Sequence, residues 1–129
     1  MKEFIFSHRS NTHLRDVHPD LKKVITLALT LSPVDFCVIE GIRTAARQSE
    51  LVLNGKSKTY NSRHLTGHAV DLVPMIDGDI PWQDWRQFER IAEAVYKAAE
   101  ILRIPVSWGG NWKTFKDGVH YELPRSIYP

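Results

Sequence analysis

Cysteine is almost absent from this chain: Cys37 is the only one among 129 residues. An intramolecular disulfide and a thiolate-rich structural zinc site are therefore excluded. Cys37 lies between Phe36 and the pair Val38–Ile39. Because free cysteine packs as a small hydrophobe, this apolar setting favours a buried, inert thiol over a reactive one.

The sequence also lacks any run of about eighteen apolar residues, so it predicts no transmembrane helix. At the amino terminus, Ser7, His8 and Arg9 interrupt the apolar residues before they reach the length of a secretory signal core. We therefore expect the chain to be made in the cytoplasm of the producing cell, to stay there at first, and not to insert stably into a membrane.

The chain has no large excess of charge of either sign. Its 17 lysines and arginines and 15 acidic residues give a net charge of +2. This small positive charge suits contact with an anionic polymer and gives no reason to expect a nucleic-acid partner. With 43% hydrophobic and 25% charged residues, the composition predicts one globular domain over residues 1–129 with a buried core. No linker or repeat divides the chain, so we expect no separate wall-binding domain, and we expect a monomer.

The spacing of apolar residues predicts helices and short strands in mixed order. The predicted helices run from Pro19 to Leu31, from a cap at Thr44 to Leu53, and from Pro81 to about Arg103. The predicted strands are Phe36–Ile42, Ala69–Val73, Ile104–Trp108 and Val119–Leu123. Because no strict βαβ alternation occurs, the predicted class is α+β, with a small, mostly antiparallel sheet flanked by helices.

Two polar segments, 62–71 and 117–122, contain the residue types of an open zinc site. Two imidazoles and one carboxylate fill three tetrahedral positions and leave the fourth for water, as in catalytic zinc sites. A bend at Gly67 followed by a strand can bring His64 and Asp71 to one centre, and His120 is the third ligand. The sequence thus predicts one Zn²⁺ per chain.

Carboxylates beside these ligands have predicted roles of their own. Asp117 lies three residues before His120, where it can reach the activated water without being a ligand, and it is the candidate general base. The alternative for Asp117 is a turn-forming Asp-Gly pair with no catalytic role. Glu122 shares a strand face with His120, and we predict that it accepts a hydrogen bond from an imidazole N–H.

Arg43, at the end of the first predicted strand, is the candidate for stabilising the oxyanion, with Gln48 as its hydrogen-bonding partner. The alternative is that Arg43 simply pairs with Glu40 or Asp35.

Tryptophans and a further histidine lie near these segments. Trp108, with Trp112, flanks a glycine-rich turn and is expected either to line a substrate groove or to pack in the core. His68 is not expected to be a ligand, because Gly67 and the absence of a following glutamate argue against a helical zinc pair.

The pattern Ser62-x-His64-x-x-Gly67-x-Ala69-x-Asp71, followed by Asp117-x-x-His120-Tyr121-Glu122, resembles the zinc D-alanyl-D-alanine carboxypeptidase superfamily. Within it, the chain is most similar to the L-alanyl-D-glutamate endopeptidases of bacteriophage endolysins. The segments His18–Leu21 and Gly41–Thr44 occur in the family's order.

The resemblance implies that zinc lies in a surface groove on His64, Asp71 and His120, that Asp117 is the catalytic carboxylate, and that Arg43 and Ser62 contact substrate. Gln48 and Trp108 are further candidate substrate contacts. The implied activity is hydrolysis of the L-alanyl-D-glutamate bond of peptidoglycan by a zinc-activated water, in an endolysin that waits in the cytoplasm until the membrane is permeabilised. The alternatives are a D-alanyl-D-alanine carboxypeptidase on the same scaffold and an inactive, zinc-stabilised wall-binding module.

Overall fold

A computed structural model of the chain describes residues 4–57, 59, 62–114 and 116–129. Its helices are α1 (His8–Leu14), α2 (Pro19–Leu31), α3 (Ala45–Leu53) and α4 (Trp85–Leu102). Its strands are β1 (Asp35–Glu40), β2 (Ala69–Met75), β3 (Ser107–Trp108) and β4 (His120–Glu122). Two 3-10 turns, Arg63–Thr66 and Gly109–Asn111, precede β2 and follow β3.

The strands form one antiparallel sheet in the order β1-β2-β4-β3. This sheet, with its helices, confirms the predicted α+β class. The central strand β2 is buried from Ala69 to Pro74, on both of its faces. Its neighbours carry polar residues opposite Asp71: His120 pairs with Asp71 from β4, and Glu40 pairs with it from β1. The sheet topology thus brings distant parts of the sequence to one place.

Helices α2 and α4 pack against each other, α4 also contacts β2, and α1 packs on β1. The buried residues of α2 recur at helical spacing and are Leu21, Val24, Ile25, Ala28 and Leu29. The α2 helix has the bounds that its sequence predicts, with Pro19 in the first turn and the extended residue Ser32 after its end. No helix in the described ranges is long and apolar enough to cross a membrane.

The longest helix begins later than its apolar stripe predicts. Residues 81–84 form a turn closed by a hydrogen bond from Asp84 N to Pro81 O (3.0 Å), and α4 begins directly after Asp84, at Trp85. The predicted start at Pro81 is therefore wrong. As a consequence, Trp82 lies outside the helix and is 57% exposed, while Trp85, the first helical residue, is 43% exposed and stacks on Trp108.

Other predicted boundaries also shift. The strand expected at Ile104–Trp108 is reduced to its last two residues, because Pro105 cannot donate to a sheet. The first strand ends at Glu40 rather than Ile42, so Arg43 lies in the connection to α3. Helix α1, which the sequence did not predict, is seven residues long and is capped by Ser7, whose side chain accepts a bond from Ser10 N.

Candidate metal centre

Three buried side chains, those of His64, Asp71 and His120, converge beside the central strand. One ligand atom from each can be chosen so that all lie within 4.8 Å of one another. His64 sits on the first 3-10 turn, where Ser62 Oγ accepts a bond from His64 N (3.2 Å). Gly67 ends this turn with φ +75°, a conformation that favours glycine. The turn therefore returns the chain into β2 with His64 facing Asp71.

Each imidazole has one nitrogen directed at Asp71 and the other held by a second acceptor. His64 Nε2 and His120 Nδ1 lie 3.0 and 3.4 Å from the same oxygen, Asp71 Oδ1. His64 Nδ1 lies 2.8 Å from Gly41 O, and His120 Nε2 lies 2.7 Å from Glu122 Oε1. A proton on each outward nitrogen satisfies these acceptors and leaves His64 Nε2 and His120 Nδ1 for a metal.

The donor set fits Zn²⁺, since two neutral imidazoles and one carboxylate are the ligands of an open zinc site. Gly41 has a second role besides accepting from His64. A Cβ at this position would overlap the carbonyl oxygen of His13 in α1. Glycine at this position lets α1 approach closely while its carbonyl oxygen accepts from His64.

The ionisable groups of the centre shift one another's pKa values. Burial alone would raise the pKa of Asp71, but hydrogen bonds with His120 and His64 hold it well below its usual range. Burial would lower the pKa of His120, but its bonds to Asp71 and Glu122 raise it to about 9. Burial would likewise raise the pKa of Glu122, and its bond to His120 lowers it instead. In the metal-free protein the hydrogen bonds of this cluster therefore favour the charged forms of His120, Asp71 and Glu122.

Asp117 lies on the turn that enters β4 and lines the same cavity as the ligands. Burial and, next, the negative charge of Asp71 raise the pKa of its carboxyl group. The turn is held by the backbone: Asp117 N donates to Gly109 O (3.0 Å), and Asp117 O accepts from His120 N (3.2 Å). A Cβ on Gly109 would overlap Asp117 O, so glycine is required for this close approach. The carboxylate thus remains beside the ligands without belonging to their group.

Arg43 reaches this site from the connection after β1. Its Nε and Nη2 donate to the two carboxylate oxygens of Glu40 (2.8 and 2.7 Å), and Nη1 donates to Gln48 Oε1 (2.7 Å). Nη2 also lies 3.5 Å from Asp71 Oδ2. The pairing with Glu40 that the sequence allowed is therefore present, together with a contact to a ligand residue.

A cavity of about 560 Å³ opens over the centre. It is lined by the three ligand residues, by Glu40, Arg43, Ser62, Trp112, Asp117 and Glu122, and by the basic residues Lys56, Arg63 and Arg125, among others. Sequence reasoning did not assign the basic residues to the site, since no spacing relates them to the ligands. The guanidinium of Arg63 is buried and donates to the carbonyl oxygens of Leu123 (2.9 Å) and Tyr128 (2.5 Å).

The remaining candidate contacts lie behind the cavity wall. Gln48 is 1% exposed, and its amide bonds to Arg43, Ser57 and Thr59. Trp108 is 7% exposed, belongs to the hydrophobic core, and donates from Nε1 to Gly118 O (2.8 Å).

In the cavity itself, Trp112 packs on His120, with ring centroids 5.2 Å apart. His68 is not in the metal group; its ring bonds to Thr66 Oγ1 (2.6 Å) and lies beside His18.

The fold and the site together define an α+β domain with an open centre of two histidines and one carboxylate, the arrangement used by zinc hydrolases. The chain belongs to the phage L-alanyl-D-glutamate peptidase family, whose model matches residues 2–128.

One relative and two solved structures show how similar this chain is to known proteins. The L-alanyl-D-glutamate peptidase of Escherichia phage T5 is 38% identical over 128 residues, 97% of this chain and 93% of the relative. The crystal structure of the L-Ala D-Glu endopeptidase ChiX of Serratia marcescens is 52% identical, has a TM-score of 0.91, and is matched over 97% of this chain and 94% of its own. The vancomycin-resistance D,D-dipeptidase VanXYg, at 16% identity and a TM-score of 0.55 over 87% of this chain and 53% of its own, shares the fold alone.

Proposed function

We propose that this protein is a zinc endopeptidase that hydrolyses the L-alanyl-D-glutamate amide of peptidoglycan stem peptides and acts on the bacterial cell wall as an endolysin. The observation that carries the proposal is the convergence of His64, Asp71 and His120 in a cavity that also receives Asp117. Membership of the phage L-alanyl-D-glutamate peptidase family supports the choice of bond.

Zn²⁺ held by these residues would supply Lewis acidity and an open position for the attacking water. Asp117 accepts the proton of that water and returns it to the nitrogen of the leaving D-glutamate residue. Because burial and Asp71 raise the pKa of Asp117, its carboxylate is a stronger base than an exposed one and its acid form is available for the second transfer.

In the proposal, two further residues of the cavity wall contact the substrate. Arg43, beside Asp71, contributes positive charge near the carbonyl oxygen of the scissile amide. Ser62 precedes the turn that carries His64, and its Oγ accepts from His64 N. In the proposal, Ser62 also contacts the backbone of the substrate peptide. Gln48 acts through Arg43, and Trp108 acts through the packing beneath the Asp117 turn.

The proposal includes one zinc ion per monomeric chain and no nucleic-acid partner. It also places the enzyme in the cytoplasm of the producing cell until the membrane is permeabilised and the cell wall becomes accessible. This order of events rests on the resemblance of the two ligand segments to those of bacteriophage endolysins.

Mass spectrometry of defined muropeptides incubated with zinc-loaded protein tests the activity and the bond together. We expect products with a new D-glutamate amino terminus, loss of these products on chelation, and their return on adding Zn²⁺. Release of free D-alanine instead would identify a D,D-carboxypeptidase. If no product forms, with or without added zinc, the proposal is overturned and the remaining candidate is an inactive wall-binding module.

A further inference from the structure

Glu40 faces the metal centre because of an irregularity in β1. The pairing register with β2 shifts between Val38, which lies opposite Leu72, and Glu40, which lies opposite Asp71. Residues two apart in a regular strand share a face, and Val38 is buried in the core. The extra residue of the bulge therefore turns Glu40 away from the core face and onto the face of Asp71.

Arg43 connects Glu40 to the ligand carboxylate. Its fork binds both oxygens of Glu40 at 2.8 and 2.7 Å, a bidentate geometry that fixes the plane of the guanidinium. The same Nη2 lies 3.5 Å from Asp71 Oδ2, while Asp71 Oδ1 faces the two imidazoles. Arg43 thus holds the carboxylate of Asp71 with one oxygen toward the metal position and the other away from it.

Gln48 prevents the guanidinium from leaving this position. Its Oε1 accepts from Arg43 Nη1 at 2.7 Å, and its Nε2 donates to Ser57 Oγ (2.9 Å) and Thr59 O (2.5 Å). The side chains around Arg43 therefore come from three elements: Glu40 and Gln48, which accept its hydrogen bonds, from β1 and α3, and Asp71, its second ion-pair partner, from β2.

The charges explain why Glu40 is needed. The side chain of Arg43 is only 8% exposed, so an unpaired guanidinium next to Asp71 would be weakly screened by water. It would withdraw charge from the ligand carboxylate and repel a divalent cation. Glu40 offsets part of the charge of Arg43 in the resting protein, which leaves more of the negative charge of Asp71 for the metal.

We propose that Glu40 is a positioning residue of the metal centre: by holding Arg43 and offsetting part of its charge, it allows Arg43 to orient Asp71 with less opposition to metal binding. The inference rests on the proposed zinc site and adds a residue to it that does not touch the metal. It also gives Arg43 a role in the resting protein, before any substrate is bound.

Zinc affinity, measured by competition with a chromogenic chelator, tests the proposal without reference to activity. We expect Glu40→Gln to weaken Zn²⁺ binding by about 10-fold, the lower end of the usual cost of losing a partner of a metal ligand, since Glu40 acts on Asp71 through Arg43. The matched control is Glu93→Gln, since Glu93 pairs with Arg86 at 2.9 Å on the exposed side of α4 and neither residue contacts Glu40. This control is expected to bind Zn²⁺ like the wild type.

A double variant, Glu40→Gln with Arg43→Gln, separates charge neutralisation from simple packing. We expect it to bind Zn²⁺ more tightly than Glu40→Gln alone, because no unpaired cation remains, but less tightly than the wild type, because Asp71 is no longer oriented. If Glu40→Gln does not fold by circular dichroism, the double variant is compared with the wild type, and equal affinity overturns the proposal.

The outcomes also distinguish this inference from the proposed function. If the wild type itself binds no Zn²⁺, the metal centre and the proposed function fail. If the wild type binds Zn²⁺ and the folded Glu40→Gln variant binds it equally well, only the role of Glu40 is refuted.

Discussion

Replacing Asp117 by asparagine is expected to abolish turnover and to leave the metal site intact. Two hydrogen bonds of this turn use the backbone of Asp117, and the third, from Val119 N to the side chain, can be accepted by the amide oxygen of asparagine, so the turn should persist. Asp117 is also outside the group of ligand atoms, so zinc affinity should not change. What is lost is a proton acceptor beside the attacking water, and general-base catalysis typically contributes about 10²–10⁴-fold to the rate.

The assay is the initial rate of muropeptide cleavage, with zinc affinity measured on the same protein. Asp77→Asn is the matched control, since Asp77 is also followed by a glycine in a tight turn but is not among the residues lining the cavity. The wild-type kcat/KM should fall as the pH drops through the raised pKa of Asp117, because the base must be ionised. If Asp117→Asn keeps more than about a tenth of the wild-type rate, or loses its zinc, the assignment of a general base is refuted.

Two further predictions concern the protein without substrate. In the metal-free protein the pKa of His120 is raised to about 9, so the stability from its bonds to Asp71 and Glu122 is fully present below about pH 6.5 and is lost as the pH rises through 9. Thermal unfolding in chelator between pH 6 and 10 should follow this loss, and a melting temperature that rises over this range would contradict it. Tyr121 Oη is buried without a hydrogen-bond partner among the described residues, so Tyr121→Phe should raise the free energy of unfolding by about 1 kcal/mol. Urea denaturation measures this change, and a clear loss of stability would show that the hydroxyl is satisfied.

Local signals in the sequence were sufficient for several elements. Pro19 and Ser32 mark the two ends of α2, and Thr44 caps α3 by accepting a bond from Arg47 N (3.1 Å). The alternation of a strand was enough to place His120 and Glu122 side by side, where their side chains hydrogen-bond. These features depend on residues close together in the chain, which is why spacing could predict them.

Features that depend on packing between residues far apart in the sequence could not be predicted from spacing. The bulge that turns Glu40 onto the site follows from the register between β1 and β2, which no local pattern records. Trp108 and Trp112 both flank the same turn, and only the packing of Trp85 and Tyr121 against Trp108 makes that residue part of the core. The late start of α4 likewise reflects the turn at 81–84 rather than the apolar period.

The separation of the ligands along the chain has a consequence for folding. A metal joining Asp71 to His120 would close a loop of about 50 residues and tie the short last strand of the sheet to its centre. Metal uptake would then contribute directly to the stability of β4 and of the Asp117 turn that precedes it. Zinc binding would therefore also hold the turn that carries the proton acceptor more firmly in place, in addition to activating the water.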